Sequence, residues 1–250
     1  MARSDAELSK PMATSQGQLP GEFEHFASCQ APFSAALASI FRGKFCDALL
    51  PNRPTKTFKK HEVIYNVGDK DGTFVFIQNG FVKVGAVSPN GHEVIYDVRK
   101  AGDVVGELSI SEQQRSDRAV ALEQTDAVVV PAQEVLQFLQ ASPEFVPIVL
   151  DAFCQTLRDA YAQISTLALD DIVHRLAKVL SNLSVRIGER TGPRIEIPTY
   201  LTQEEIAQMV GARRERISTA LNALRRQGMV EYTGRGHLVL NMDALEKLSK

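Results

Sequence analysis

The sequence has no tryptophan, only three cysteines among its 250 residues, and no dominant sign of charge. Cys29, Cys46 and Cys154 form no closely spaced pair, which argues against a metal site or a disulfide framework. We interpret them as small buried apolar groups, with a redox switch as the alternative. The sequence contains no run of about 18 apolar residues, so we expect no transmembrane helix. The polar first 20 residues lack a signal-peptide core, which predicts a disordered tail over residues 1–21 and a cytoplasmic protein.

The net charge of −2 excludes a uniformly basic chain, but the charge is unevenly distributed. Residues 170–250 hold 13 basic and 10 acidic side chains, against 15 and 20 in the remainder. This weak basic excess has the sign expected of a C-terminal domain that binds nucleic acid. No nucleophile–base pair, metal cluster or Walker-type phosphate loop stands out, so we do not expect an enzyme.

Residues 201–224 have the pattern of two short helices joined by a tight turn. Thr202 and Glu205 have the spacing of a capping box, and Gly211 stands where the chain must turn. The second helix is expected to bury an apolar stripe made of Ile217, Leu221 and Leu224. This pattern is typical of a helix-turn-helix. The alternative is an ordinary helical hairpin with a solvated charged face.

The opposite arc of the second helix carries polar side chains that can bond to base edges in the major groove. Arginine can bond guanine bidentately, and a carboxylate can accept from cytosine. Two short apolar strands then flank residues 233–236, which predicts a winged hairpin with Arg235 against phosphate. The predicted DNA-binding residues are Thr202, Gln203, Arg213, Arg214, Glu215, Ser218, Thr219, Asn222 and Arg235.

From Thr57 to Val130 the sequence alternates in short strands broken by turn signals, which predicts an antiparallel barrel or jelly roll. Asn90-Gly91 is a strong hairpin signal, because both residues accept a positive φ. The fold class predicted is α+β. Its domains are predicted as the tail (1–21), a β-roll with N-terminal helices (22–141), a dimerisation helix (142–168) and a winged helix-turn-helix (169–250).

The predicted long helix after Pro143 carries apolar residues whose spacings alternate between four and three. A repeat of 3.5 residues is the seam of a coiled coil and favours a parallel dimer. The alternative is a helix packed against the barrel. The predicted seam is Val146, Leu150, Phe153, Leu157, Ala160, Ile164 and Leu167.

Several short motifs, in this order and spacing, resemble the CRP/FNR superfamily, which includes the cyclic-AMP receptor protein. They lie at residues 63–69, 80–84, 102–109 and 115–116 and in the helix-turn-helix. The resemblance implies a homodimeric transcription factor with an effector-sensing β-roll, which binds double-stranded promoter DNA and, if it is an activator, RNA polymerase. A regulatory subunit that binds a cyclic nucleotide and acts on a protein partner is the alternative function.

The family's phosphate-binding cassette resembles residues 106–109 and 115–116. Backbone N–H groups around Gly106 would form an anion nest, Arg115 would pair with a phosphate, and Glu107 would accept from a ribose hydroxyl. Arg118 adds a second cation, which would draw another anion or pair with Asp117. The candidate effector-binding residues are Gly106, Glu107, Leu108, Ser109, Arg115, Ser116, Arg118 and Tyr161.

The sequence departs from the cyclic-AMP receptor on the dimerisation helix. That receptor reads adenine with a Thr-Ser pair, where this chain has Ala160 and Tyr161. Cyclic AMP is therefore disfavoured as the effector. Another nucleotide, a small dianion such as 2-oxoglutarate, a partner protein, or no ligand at all remain as alternatives.

Overall fold

The structure, a computed structural model, describes residues 49–110 and 114–248. The predicted tail (1–21) and residues 22–48, where N-terminal helices are predicted, lie outside those residues, as do Cys29 and Cys46. The predicted α+β class is confirmed: a jelly roll is followed by a long helix and a winged helix-turn-helix. Within the described ranges, no helix is both long and apolar enough to cross a membrane.

Eight strands form a roll of two antiparallel four-stranded sheets, in the orders β1-β8-β3-β6 and β2-β7-β4-β5. Their bounds are β1 (Thr55–Phe58), β2 (Val63–Tyr65), β3 (Thr73–Asn79), β4 (Phe81–Val87), β5 (Glu93–Lys100), β6 (Val104–Val105), β7 (Arg118–Ala121) and β8 (Thr125–Pro131). The roll interior is a buried cluster fed from both sheets, including Phe58, Ile77, Val82 and Ala119. Alternation in the strands thus sends one face inward, as the sequence pattern predicts.

Two details of the roll correct the sequence prediction. The alternating pattern predicts a strand over residues 104–107, but β6 ends at Val105 and Glu107 begins a 3-10 turn (Glu107–Ile110). The break falls at Gly106, whose φ of 93° is incompatible with a strand. At the Asn90-Gly91 turn only Gly91 has a positive φ, because Ser88 and His92 close a longer loop instead of a two-residue hairpin.

Three helices follow the roll: α1 (Ala132–Ala141), α2 (Val146–Leu169) and α3 (Ile172–Ile187). The first packs on the outer face of the sheet that contains β3, where Val135 is fully buried. A 3-10 turn precedes α2, so the long helix starts a few residues later than Pro143. Asp171 caps α3 by accepting hydrogen bonds from the backbone N–H groups of Val173 and His174.

The C-terminal region contains three more helices and a small sheet with the order β11-β12-β10-β9. Their bounds are β9 (Glu189–Thr191), β10 (Arg194–Glu196), α4 (Gln203–Val210), α5 (Arg214–Arg226), β11 (Val230–Tyr232), β12 (Leu238–Leu240) and α6 (Met242–Leu248). The sequence pattern does not predict β9 and α6, which are short and carry no strong periodic signal. They complete the scaffold that holds the helix-turn-helix.

Candidate DNA-binding and effector sites

The first helix of the helix-turn-helix, α4, begins with the predicted capping box. The hydroxyl of Thr202 accepts from the backbone N–H of Glu205 (3.1 Å), and the Glu205 carboxylate accepts from the Thr202 N–H (2.9 Å). Because that hydroxyl also donates to Glu205 (2.9 Å), Thr202 is engaged within the helix cap. Thr202 and Gln203 are half-buried, and their predicted contacts with DNA stay predictions.

Gly211 ends α4 in the left-handed conformation, with φ 66° and ψ 46°. A Cβ at this position would lie 3.2 Å from the Leu167 Cδ2 atom, near the end of α2. The turn of the helix-turn-helix therefore touches the long helix. Glycine fits there both because it tolerates the positive φ and because it leaves space for Leu167.

The second helix, α5, separates an apolar and a polar face as the sequence predicts. Ile217, Leu221 and Leu224 are buried. Of the predicted base-reading residues, Ser218 is half-buried and the following are exposed: Arg213, Arg214, Glu215, Thr219 and Asn222. The Thr219 hydroxyl donates to the Glu215 carbonyl one turn earlier (3.0 Å), which fixes its orientation on the helix surface. The structure thus brings this set together on one accessible face.

The predicted wing is formed by β11 and β12, with Arg235 exposed at its tip. The Thr233 hydroxyl accepts from the backbone N–H groups of Arg235 (3.3 Å) and His237 (3.1 Å), which holds the turn closed. His237 Nδ1 lies 2.9 Å from a carboxylate oxygen of Glu196 on β10. The wing is therefore anchored at its base while its tip faces solvent.

In the cassette, Arg115 is completely buried and contacts protein groups on all three of its nitrogens. Nε donates to Asp71 (2.6 Å), Nη1 to the Gly106 carbonyl (3.0 Å), and Nη2 to the carbonyl (2.6 Å) and hydroxyl (2.9 Å) of Thr73. A Cβ at Gly106 would lie only 2.4 Å from Nη1. Arg115 thereby ties the cassette to the start of β3.

Glu107 is also buried, and its carboxylate faces Arg99 on β5, with Nη2 3.3 Å from Oε1. Burial raises the pKa of Glu107, and the Arg99 charge opposes that shift. Nearby, the Tyr65 hydroxyl donates to Asp117 (3.1 Å). Burial raises the pKa of Asp117 as well. The roll interior therefore holds a cluster of arginines and carboxylates beside the cassette.

The remaining candidate effector residues are spread over different environments. Leu108 and Ser116 are exposed. For Ser109 only the backbone, within the 3-10 turn, is described. The alternative in which Arg118 pairs with Asp117 is wrong, because Arg118 Nη1 donates to Glu93 instead (2.6 Å). Glu93 lies across the sheet on β5, which draws the Arg118 guanidinium away from Asp117.

On α2 the predicted seam is open to solvent in a single chain. Apolar side chains are 43–61% exposed at Val146, Leu150, Leu157, Ile164 and Leu167. Phe153 is half-buried, and Ala160 and Tyr161 are exposed. Cys154 is exposed too, which corrects its interpretation as a buried group. Water-facing leucine and isoleucine at this regular spacing leave a large apolar stripe that a partner would cover.

Sequence reasoning missed the buried charges of β5, Asp97 and Arg99. The Asp97 carboxylate pairs with Arg99 (Nε to Oδ2, 2.8 Å) and with Arg186 at the end of α3. The only available signal was an Asp-Val-Arg run inside a strand, which looks like a solvent-facing edge. Within the described residues, no group of three or more histidine, cysteine or carboxylate side chains is arranged to hold a metal ion.

A jelly roll, a long helix and a winged helix-turn-helix with an exposed polar recognition face define a DNA-binding transcription regulator. The comparisons agree. Residues 55–142 match the model of the cyclic nucleotide-binding domain, and residues 174–248 match the model of the Crp-like helix-turn-helix domain. The chain belongs to the CRP/FNR superfamily of transcription regulators, as its motifs predicted.

Curated relatives match over most of the chain. The CRP-like cAMP-activated global transcriptional regulator of Mycobacterium tuberculosis is 28% identical over 86% of this chain and 98% of its own length. The global nitrogen regulator of Synechocystis is 28% identical over 84% of this chain and 94% of its own length.

Solved structures show the same fold. FixK2 from Bradyrhizobium japonicum has a TM-score of 0.67 at 22% identity, covering 79% of this chain and 98% of its own. A CooA mutant from Carboxydothermus hydrogenoformans has a TM-score of 0.68 at 20% identity, covering 86% of this chain and 95% of its own.

Proposed function

We propose that the protein regulates transcription as a homodimer whose two winged helix-turn-helix domains bind neighbouring half-sites of promoter DNA. In this proposal residues 142–168 form the dimerisation helix, residues 22–141 the effector domain and residues 169–250 the DNA-binding domain. The observation that carries the dimer is the exposed apolar stripe of α2, where Leu150 is 59% and Ile164 is 61% exposed.

Two independent properties of this stripe support a parallel dimer. Its residues recur every 3.5 positions, the repeat that keeps an apolar seam facing a second helix over its whole length. The exposed side chains are also left uncovered by the part of the chain that the structure describes, and burying a leucine stabilises by roughly 1.5–3 kcal/mol. Self-association would bring two recognition helices to a spacing of about 34–36 Å, one turn of DNA.

The experiment is analytical ultracentrifugation of the full chain, followed by gel shifts on duplexes selected from a random library. A dimer that selects a two-fold symmetric site with half-sites one turn apart supports the proposal. A monomer, or a dimer that selects a single asymmetric half-site, would contradict it.

The roll either binds a small anionic effector or works without one. The Arg115 contacts favour the second alternative, because an anion at this guanidinium would have to displace Asp71 or the Thr73 and Gly106 oxygens. Sequence identity to relatives does not rank the effectors, since a cAMP-activated regulator and a nitrogen regulator are both 28% identical to this chain. Cyclic AMP is the disfavoured ligand, because Ala160 lacks a hydrogen-bonding side chain and Tyr161 is bulky.

A thermal-shift screen with nucleotides and small dianions tests the effector, since a ligand that binds only the folded state raises Tm. A shift with one class identifies the effector class. An unchanged Tm across a panel that includes cyclic AMP and 2-oxoglutarate would support effector independence. As a regulator of promoters the protein would act in the cytoplasm, without enzymatic activity, and would contact RNA polymerase if it activates.

A further inference from the structure

The DNA-binding domain packs against the outer face of the second sheet of the roll. Ile95, Val98 and Leu122 of the roll belong to the same buried cluster as the core of the helix-turn-helix, and all three are at most 3% exposed. This apolar contact holds the two parts together, but it is non-directional and does not by itself fix their angle. The directional contacts between the same two parts include a cation–π contact of Lys60 with the Tyr200 ring (5.7 Å) and several ion pairs, of which the ion pairs are the closer.

The first ion pair joins Lys83 on β4 to Glu205 in the capping box of α4. Lys83 Nζ lies 3.1 Å from Glu205 Oε1, and the two side chains are only 14% and 7% exposed. Burial acts to raise the pKa of Glu205, but the Thr202 N–H and the Lys83 charge hold that pKa below its ordinary value. One carboxylate therefore caps the helix and contacts the roll.

Lys83 does not act alone, because Glu93 on the neighbouring strand lies 3.8 Å from the same ammonium. Glu93 is in turn bound by Arg118, a candidate effector residue, at 2.6 Å. A row of alternating charges thus runs from the edge of the cassette to the first helix of the helix-turn-helix.

A second anchor lies at the other end of the same interface. Arg186, in the last turn of α3, pairs with Asp97 of the roll, and its Nη2 lies 3.9 Å from Asp159 on α2. Asp97 also pairs with Arg99, which contacts Glu107. The two anchors hold different elements of the DNA-binding domain, so together they resist its rotation on the roll.

We propose that Lys83, through its ion pair with Glu205, is a positioning residue that sets the angle of the DNA-binding domain and thereby the half-site spacing that the dimer accepts. The reading face stays open in this arrangement, because Arg214 and Thr219 are exposed while Glu205 is held on the roll. The inference depends on the proposed homodimer. Two rigidly held recognition helices match one spacing, whereas loosely held ones tolerate several.

The test is the spacing selectivity of Lys83→Met, which keeps the aliphatic stem and removes the charge. The Kd is measured for a selected duplex with two half-sites and for the same duplex with the half-site spacing changed by one base pair. The readout is the ratio of the Kd at the changed spacing to the Kd at the original spacing. We expect this ratio to fall about five-fold or more, within the usual range of coupling between sites. Affinity for a duplex with one half-site should change less than about two-fold, since no reading residue is altered.

Two variants control for charge and for position. Lys83→Arg keeps the cation and should keep the ratio. Arg194→Met removes an ion pair with Glu231 that lies within the DNA-binding domain, and it should also keep the ratio. Arg186→Met removes the second anchor and should lower it. An unchanged ratio in Lys83→Met, or an equal fall in Lys83→Arg, overturns the proposal.

Failure of the homodimer itself would be recognised separately, because the unaltered protein would then show no spacing preference. In that case the rate of amide hydrogen exchange in α4 tests the positioning role of Lys83 independently of dimerisation. Faster exchange over residues 203–210 in Lys83→Met, but not in Arg194→Met, would still support the positioning role. Equal exchange in both variants would reject it.

Discussion

The guanidinium carbon of Arg115 lies 4.1 Å from the centre of the Tyr65 ring, so the cassette arginine stacks on an aromatic face inside the roll. Cation–π contact and hydrogen bonds to Asp71, Thr73 and Gly106 act on the same side chain. Arg115 therefore contributes to the structure of the roll whether or not an anion binds beside it. The consequences can be measured at Gly106, whose carbonyl accepts a hydrogen bond from Arg115 Nη1 (3.0 Å).

Gly106→Ala should destabilise the roll. Its φ of 93° is unfavourable for alanine, and the added Cβ would lie 2.4 Å from Arg115 Nη1 and 2.6 Å from the Thr73 carbonyl oxygen. Strain of about 1–2 kcal/mol and crowding of about 1–3 kcal/mol predict a loss of roughly 2–5 kcal/mol in the free energy of unfolding. Denaturant titration measures it. Gly91→Ala is the matched control, because Gly91 has a φ of 79° and open space around it. Equal losses in the two variants would show that the crowding is unimportant.

Arg214→Ala should relax base preference at one operator position by about 1–3 kcal/mol, because the predicted bidentate contact to guanine would be lost. Binding-site selection with both proteins measures it. Arg226→Ala, which removes an exposed arginine at the opposite end of α5, is the control. Selectivity that stays the same at every position in Arg214→Ala would remove Arg214 from the reading set.

Arg235→Ala should weaken binding to all duplexes alike, because the contact predicted for this arginine is to phosphate, which carries no sequence information. The slope of log K against log salt should flatten by about one ion. Titrations at several salt concentrations measure it, and Arg235→Lys should restore the slope. A loss restricted to one sequence would instead assign Arg235 to base reading.

Leu157→Glu should convert the protein to monomers. Leu157 is 52% exposed in one chain, so a carboxylate there leaves the single protomer folded but cannot be buried in a seam. Sedimentation velocity measures the mass, and circular dichroism verifies the fold. Ala162→Glu, at an exposed position off the stripe, should leave the dimer intact. A dimeric Leu157→Glu protein would locate the association elsewhere.

Asp117→Asn should change how stability depends on pH. A carboxyl group whose pKa is raised by burial binds its proton more strongly in the folded chain, so its contribution to stability falls as pH rises from its ordinary value of 3.8 through the raised one. Asparagine does not titrate and can still accept from Tyr65. As pH rises above 3.8, Tm should therefore decline less, or rise more, in Asp117→Asn than in the unaltered protein. Asp126→Asn, which alters a carboxylate that accepts from Thr57, serves as control. Parallel Tm profiles for the unaltered protein and Asp117→Asn would refute the prediction.

The helix-turn-helix could be predicted because its signals are local. The Thr202–Glu205 capping box, Gly211 at the turn, and an apolar stripe on α5 each act within a few residues of sequence, and all are present in the structure. The jelly roll followed in the same way from its short alternating strands. The family match points to no residue of the two domains beyond those that the sequence pattern indicates.

The buried charges could not be predicted, because a β-bulge changes which side of β5 faces inward. Simple alternation places Val94, Tyr96 and Val98 inside and their neighbours outside. The register shift opposite Val84 and Gly85 leaves Tyr96 without a cross-strand partner. Val94 and Tyr96 are consequently 43% and 50% exposed, whereas Arg99 is 6% exposed. Such a bulge depends on long-range pairing and leaves no mark within the strand sequence.

A side chain at position 211 would press on Leu167, the last residue of the predicted seam of α2. In the proposed dimer, Leu167 would therefore lie beside both the partner subunit and the turn that orients the recognition helix. Substitutions of Leu167 that strengthen dimerisation should consequently also change DNA specificity.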